Sequence, residues 1–181
     1  MSETLPPIRR IVTADDVNGR SRILEDAPAT AVRTVAERPG YRAVNVWRTE
    51  AAPAPIFASD SVARHEGILP PGDGGSILRV IDFPPEPSDP DERRRRIQAT
   101  FGSIFSDAQH DKREGAHPGM HRTDTVDYAI ILAGEIWAVM DEGETLMRAG
   151  DVLIQRGTNH AWANRSNTTA RIAFVLLDGS R

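Results

Sequence analysis

From Val126 to Leu177 the chain alternates short β-branched and aromatic runs with glycine-centred turns, roughly one turn every 8 to 10 residues, and this cadence limits the fold more than any other feature. Strands are expected at 126–132, 135–140, 144–147, 152–155, 160–164 and 170–177, with turns at Ala133-Gly134, Asp141-Glu142-Gly143, Ala149-Gly150-Asp151 and Gly157-Thr158-Asn159. There is no room between them for crossover helices, so a βαβ fold is excluded and an all-β sandwich or barrel of antiparallel strands is predicted. The final run is apolar on both faces, Ile172, Phe174 and Leu176 on one and Ala173, Val175 and Leu177 on the other, which predicts a strand covered on both sides.

The first half is less regular. Residues 1 to about 27 read as an extended arm, with a short strand near Arg9 to Thr13 and a turn signal at Asn18-Gly19. Residues 30–35 and 41–49, separated by Pro39-Gly40, read as a hairpin. Pro53 and Pro55 confine 51–56 to an edge or loop, and 62–69 reads as a further strand ending at Pro70-Pro71. Residues 76–83 form the clearest strand of this half, between glycines and Pro84-Pro85. The period then changes: Ile97, Phe101, Ile104 and Phe105 fall on one helical face over 89–105, with Ser88 or Asp89 as cap. A polar loop is expected at 107–115.

At 181 residues, with 39% hydrophobic and 27% charged residues, one elaborated domain is favoured over two. The net charge of -4 is interspersed, so neither nucleic acid nor a membrane surface is indicated as a partner; Arg93 to Arg96, after Asp91 and Glu92, fits a solvated helix better than a phosphate patch. The chain has no cysteine, so disulfides, thiolate ligands and cysteine nucleophiles are excluded. No apolar run approaches the ~20 residues of a membrane span and no export leader is visible, so the expected location is the cytoplasm.

Chemistry concentrates between His117 and Asn164. On strand spacing, His121 and Thr123 share one face, and His160, Trp162 and Asn164 share another. Two histidines and a carboxylate, Asp127, are the parts of a nitrogen and oxygen metal site. Each has a plain structural alternative: a satisfied strand histidine for His121 or His160, a turn acceptor for Asp127. His117 either curls inward as a third imidazole or stays in its loop. Arg122, Gln155 and Arg156 are candidates to orient an oxyanion, although Arg122 has the wrong parity for His121's face. Trp162 either lines a pocket or fills core, and the helix around Phe101 and Phe105 either caps the barrel mouth or seals an edge. His65 and His110 have no visible partners and read as surface residues.

These residues resemble the two motifs of the cupins. Gly150, Gly157, His160 and Asn164 match the second motif with one residue missing and Arg156 in place of proline. In the first motif, Gly134 sets Asp127 at the glutamate position, and the histidine pair falls on His121 and Thr123. The likeness covers roughly residues 75 to 178 and implies a double-stranded β-helix, the jelly-roll barrel, over 75–181. It makes 86–116 an insertion carrying the helix, and 1–74 an N-terminal extension packed on the barrel or on a second subunit. It also implies a metal held by His121, Asp127 and His160, with His117 and Thr123 as further ligand or pocket residues and Arg122, Gln155, Trp162 and Asn164 lining the substrate pocket. The ion would be one divalent metal, Fe(II) favoured, with Mn, Ni or Zn as alternatives, and the assembly a homodimer. The functional expectation is a metal-dependent enzyme on a small polar organic molecule, of oxygenase, isomerase, decarboxylase or dehydratase type; the alternative is a non-catalytic ligand-binding or metal-stabilised barrel.

Overall fold

The computed structural model describes residues 4–111 and 113–181. In chain order the strands and helix are β1 (Arg9–Asp15), β2 (Ser21–Pro28), β3 (Val32–Thr34), β4 (Arg42–Thr49), β5 (Ser76–Phe83), α1 (Pro90–Ser103), β6 (Gln109–His110), β7 (His121–Arg122), β8 (Thr125–Ala133), β9 (Glu135–Met140), β10 (Glu144–Arg148), β11 (Val152–Arg156), β12 (His160–Ala163) and β13 (Ala170–Asp178). Two antiparallel sheets carry the fold, one in the order β10-β9-β12-β7-β6 and the other β11-β8-β13-β5-β4-β3. This is the expected all-β jelly roll with one helix. No helix among the described residues is long and apolar enough to cross a membrane.

Strand alternation decides what faces the interior. Along β8, Thr125, Asp127, Ala129 and Ile131 are buried, while Val126, Tyr128 and Leu132 face out. Asp127 is therefore placed by the same pleat that seats the core residues Ala129 and Ile131. β13, paired with β5 on one side and β8 on the other, is buried along nearly its whole length, as its two apolar faces predict. Ile77, Ile81 and Phe83 of β5 meet Trp162 of β12 and Ile172, Phe174 and Leu176 of β13 in one continuous core. Between β8 and β9, Gly134 adopts φ of 69°, and a Cβ there would stand 2.7 Å from the Thr169 carbonyl oxygen, so this turn needs glycine.

Three readings of the first half change. The N-terminal arm is a hairpin of β1 and β2 turning through Asp16, whose carboxylate accepts from the Asn18 and Arg20 amides. Residues 62–69 form no strand: Val62–Arg64 is a single 3₁₀ turn, and the Ile68 and Leu69 amides donate to the Asp107 carboxylate at 2.8 to 3.0 Å, which satisfies donors a ladder would have used. Gly67 (φ 74°) lies so close beneath that carboxylate that no Cβ fits. The polar loop after the helix contains β6, because Gln109 and His110 pair with Arg122 and His121. The helix itself starts at Asp89, whose side chain accepts from the Asp91 amide at 2.9 Å, and ends with Ile104 and Phe105 just past its last turn.

Candidate functional site

A cavity of about 70 Å³ lies between the sheets, beneath α1. Ile97, Thr100 and Phe101 of the helix and Phe105 beyond it form one wall; Phe83, Phe174, Leu176 and Trp162 form much of the rest. The polar groups that reach it are His121, Asp127, His160, Arg38, Arg79 and Tyr41. The helix thus covers the pocket, and Trp162 both lines it and stacks edge-on to Phe174 in the core, with centroids 5.4 Å apart.

The two histidines stand directly opposite each other, because His160 of β12 pairs with His121 of β7, and their ring centroids are 4.4 Å apart. His121 Nδ1 contacts the Gly119 carbonyl at 2.9 Å and His160 Nδ1 the Thr158 carbonyl at 3.0 Å. A carbonyl can only accept, so both Nδ1 atoms carry hydrogen and both Nε2 atoms keep their lone pairs. Burial pushes His121 down to about 3, with the charge of His160 adding to the effect, and His160 down to about 4. At neutral pH both are uncharged nitrogen donors of fixed tautomer, the state a metal ligand requires.

Asp127 faces the same cavity. It is 5% exposed, its Oδ1 is buried without a hydrogen-bond partner, and desolvation pushes its carboxyl up to about 6 against the opposing pull of the Thr125 hydroxyl and the Arg79 charge. Thr123 and Thr125 share a hydroxyl hydrogen bond of 2.7 Å, so the buried Thr123 supports the threonine beside Asp127. Among the described residues, however, no three histidine, aspartate or glutamate side chains converge closely enough to hold a metal ion. The donor chemistry of the histidine pair fits a divalent metal; Asp127 shares its cavity without closing a three-ligand set.

Two buried arginines complete the site. Arg79, 2% exposed, donates from Nε to Asn45 Oδ1 at 2.7 Å and from its terminal nitrogens to the Gly67 and Ile68 carbonyls. Arg38 lies 4.4 Å over the Tyr41 ring and donates to Thr100 Oγ1 at 3.3 Å. Burial lowers both guanidiniums from their ordinary value, Arg79 to about 10, and pushes the Tyr41 phenol up to about 12. Sequence reasoning missed these groups. For Arg79 a signal existed: it is in phase with Ile77, Ile81 and Phe83 on the inward face of the clearest strand of the first half. Arg38, in a turn, carries no such mark.

The other candidate residues are placed away from the cavity lining. His117 Nε2 pairs with the buried Glu86 carboxylate at 3.0 Å while its Nδ1 accepts from the Gly119 amide, so it fastens the loop before β7. Gln155 donates to the carbonyl and hydroxyl of Thr158, and thereby supports the carbonyl that orients His160. Asn164 ties the Phe83 and Thr168 carbonyls together. Arg122 and Arg156 are exposed. Two histidines read as surface residues are not free of partners: His65 is 3% exposed, contacts Arg48 through Nδ1 at 3.4 Å and leaves Nε2 buried without a hydrogen-bond partner, and His110 stacks on Phe101 with its Nε2 donating to the Pro118 carbonyl.

No protein-family model matches the chain. Among curated proteins it is 30% identical over 177 residues to phomopsin biosynthesis cluster protein C' of Diaporthe leptostromiformis, an alignment covering 93% of this chain and 77% of that protein. It is 46% identical over 121 residues to oryzines biosynthesis cluster protein J of Aspergillus oryzae, covering 66% of this chain and 50% of that protein. With the cupin-domain-containing oxidoreductase fogC of Aspergillus ruber it shares 27% identity over 183 residues, 96% of this chain and 74% of the relative. Among solved structures, the cupin domain of Schizosaccharomyces pombe Cnp3 superposes with a TM-score of 0.44 at 11% identity, over 94% of this chain and 87% of that one.

Proposed function

The chain belongs to the cupin superfamily, and on that premise we propose that the cavity beneath α1 is the active site of a metal-dependent oxidoreductase acting on a small organic molecule. The observation that carries the reading is the opposed pair of neutral histidines, each with Nδ1 anchored to a backbone carbonyl, beside a buried carboxylate oxygen without a partner. The names of relatives such as fogC, a cupin-domain-containing oxidoreductase, support the reaction class.

In this reading His121 and His160 hold the metal through Nε2, and Asp127 either joins them or holds the proton that the reaction moves. A divalent ion there would supply a Lewis-acid or redox centre with open positions for a substrate oxygen. The protein's own contributions are distinct. The Gly119 and Thr158 carbonyls fix the imidazole orientation, and Gln155 steadies the second of them. Asp127, held near 6, takes or releases a proton close to neutral pH more readily than an ordinary carboxylate. Phe101 and Phe105 give the cavity an apolar wall.

The test is elemental analysis of untagged protein after reconstitution with Fe(II), Mn(II), Ni(II) or Zn(II), repeated on His121→Ala, His160→Ala and Asp127→Ala. Near-stoichiometric metal that is lost in both histidine variants, with the circular dichroism unchanged, is the expected result. Retention of metal by both histidine variants, or no uptake by the parent, would overturn the metal assignment.

A further inference from the structure

We infer that this cavity takes a small carboxylic acid, its carboxylate held between Arg38 and Arg79 and its apolar end lying toward Phe174 and Leu176; the inference rests on the reading of the cavity as the active site. Charge selects the occupant. Arg38 is 7% exposed and Arg79 2%, and among the described residues neither forms an ion pair with a carboxylate. Their hydrogen bonds go to a threonine hydroxyl, an asparagine oxygen and two backbone carbonyls, all of them neutral acceptors. A buried guanidinium without a counter-charge carries a heavy desolvation cost, and in apolar surroundings its attraction for an anion is strong.

The acids nearby do not meet this need. Asp127 is the one carboxylate lining the cavity, and its Oδ1 has no hydrogen-bond partner from either arginine or elsewhere. Glu86, whose charge reaches Arg38, is engaged by His117, and Asp107, whose charge reaches Arg79, is engaged by the Ile68 and Leu69 amides. The lining thus holds two guanidiniums, Arg38 and Arg79, against one carboxylate. Tyr41 joins the two cations: Arg38 lies over its ring, and the charges of both guanidiniums reach its phenol. The volume of about 70 Å³ limits the occupant to a few heavy atoms. A carboxylate between the guanidiniums would leave the rest of such a molecule the apolar side chains of Phe174 and Leu176 to lie against.

The test uses butyrate and its neutral counterpart butyramide, titrated into the metal-free 181-residue chain and followed by NMR shift perturbation. It requires neither turnover nor metal, so it fails or succeeds independently of the metal assay. Butyrate should bind at least tenfold more tightly than butyramide, and Arg38→Gln, with its circular dichroism unchanged, should remove that preference. If that variant does not fold, Phe101→Trp, which narrows the cavity from its half-buried rim without changing charge, should weaken butyrate at least tenfold. Equal binding of the two probes, no binding of either, or a butyrate preference that survives the folded variant would overturn the inference.

Discussion

Replacing Asp127 by asparagine should stabilise the metal-free protein at neutral pH and lose that advantage in acid. Burial raises this carboxyl from its ordinary 3.8 to about 6, so the folded state disfavours its ionised form. For an acid raised on folding, the folded state is relatively favoured below about pH 4, where both states are protonated; that advantage is lost as pH rises toward 6 and stays lost above it. At about 1.4 kcal/mol for each pKa unit, the displacement is worth on the order of 3 kcal/mol. Asparagine removes the charge and keeps an oxygen to accept from Thr125, while its amide adds a donor that needs a partner, so a gain of about 1 to 3 kcal/mol is expected. Urea denaturation in the presence of a chelator, at pH 7.5 and at pH 4, measures it: the variant should exceed the parent at the higher pH, and its advantage should fall by about 2 to 3 kcal/mol at the lower, where the amide cost remains. A difference that is the same at both pH values, or a loss at pH 7.5, would refute the reasoning.

The buried histidines give the opposite dependence. His65, His121 and His160 are all depressed by burial, to about 4, 3 and 4, so their contribution to stability is present above about pH 6.5 and is lost as pH falls toward 4; the urea midpoint of Asp127→Asn, which lacks the opposing carboxylate effect, should therefore drop steadily over that window, and a flat profile would contradict the assigned burial. Asp107→Ala removes the acceptor of the Ile68 and Leu69 amides and frees the loop whose Gly67 and Ile68 carbonyls hold Arg79, at a cost of about 2 kcal/mol by denaturant titration, with amide exchange accelerated at residues 67–69.

Legibility in the sequence followed how local each signal is. The strands of the second half, the strand at Ser76–Phe83 and the helix were readable because alternation, turns and capping are written within a few neighbouring residues. His121 and His160 were chosen on the same kind of spacing, and the structure sets them face to face. The segment at 62–69 misled because its hydrogen bonds are made to Asp107, 38 or more positions away, and no local pattern announces such a partner. His65 was misplaced for the same reason, since its burial comes from the fold of that segment. Asp127 was assigned through its motif position relative to Gly134, although its phase with Ala129 and Ile131 along β8 also turns it inward. Arg38 and Arg79 escaped notice because a basic residue is ordinarily assigned to solvent.

The wall that α1 contributes belongs to neither sheet: the helix forms no strand pairing, yet Ile97, Thr100 and Phe101 close the cavity. The imidazoles and the carboxylate, by contrast, are fixed by the register of paired strands. One wall of the cavity thus rests on a segment outside the paired strands, while the imidazoles, the carboxylate and Arg79 rest on the strands themselves. Exchange of the helical segment would therefore reshape that wall without disturbing the strand register that holds His121, Asp127, His160 and Arg79.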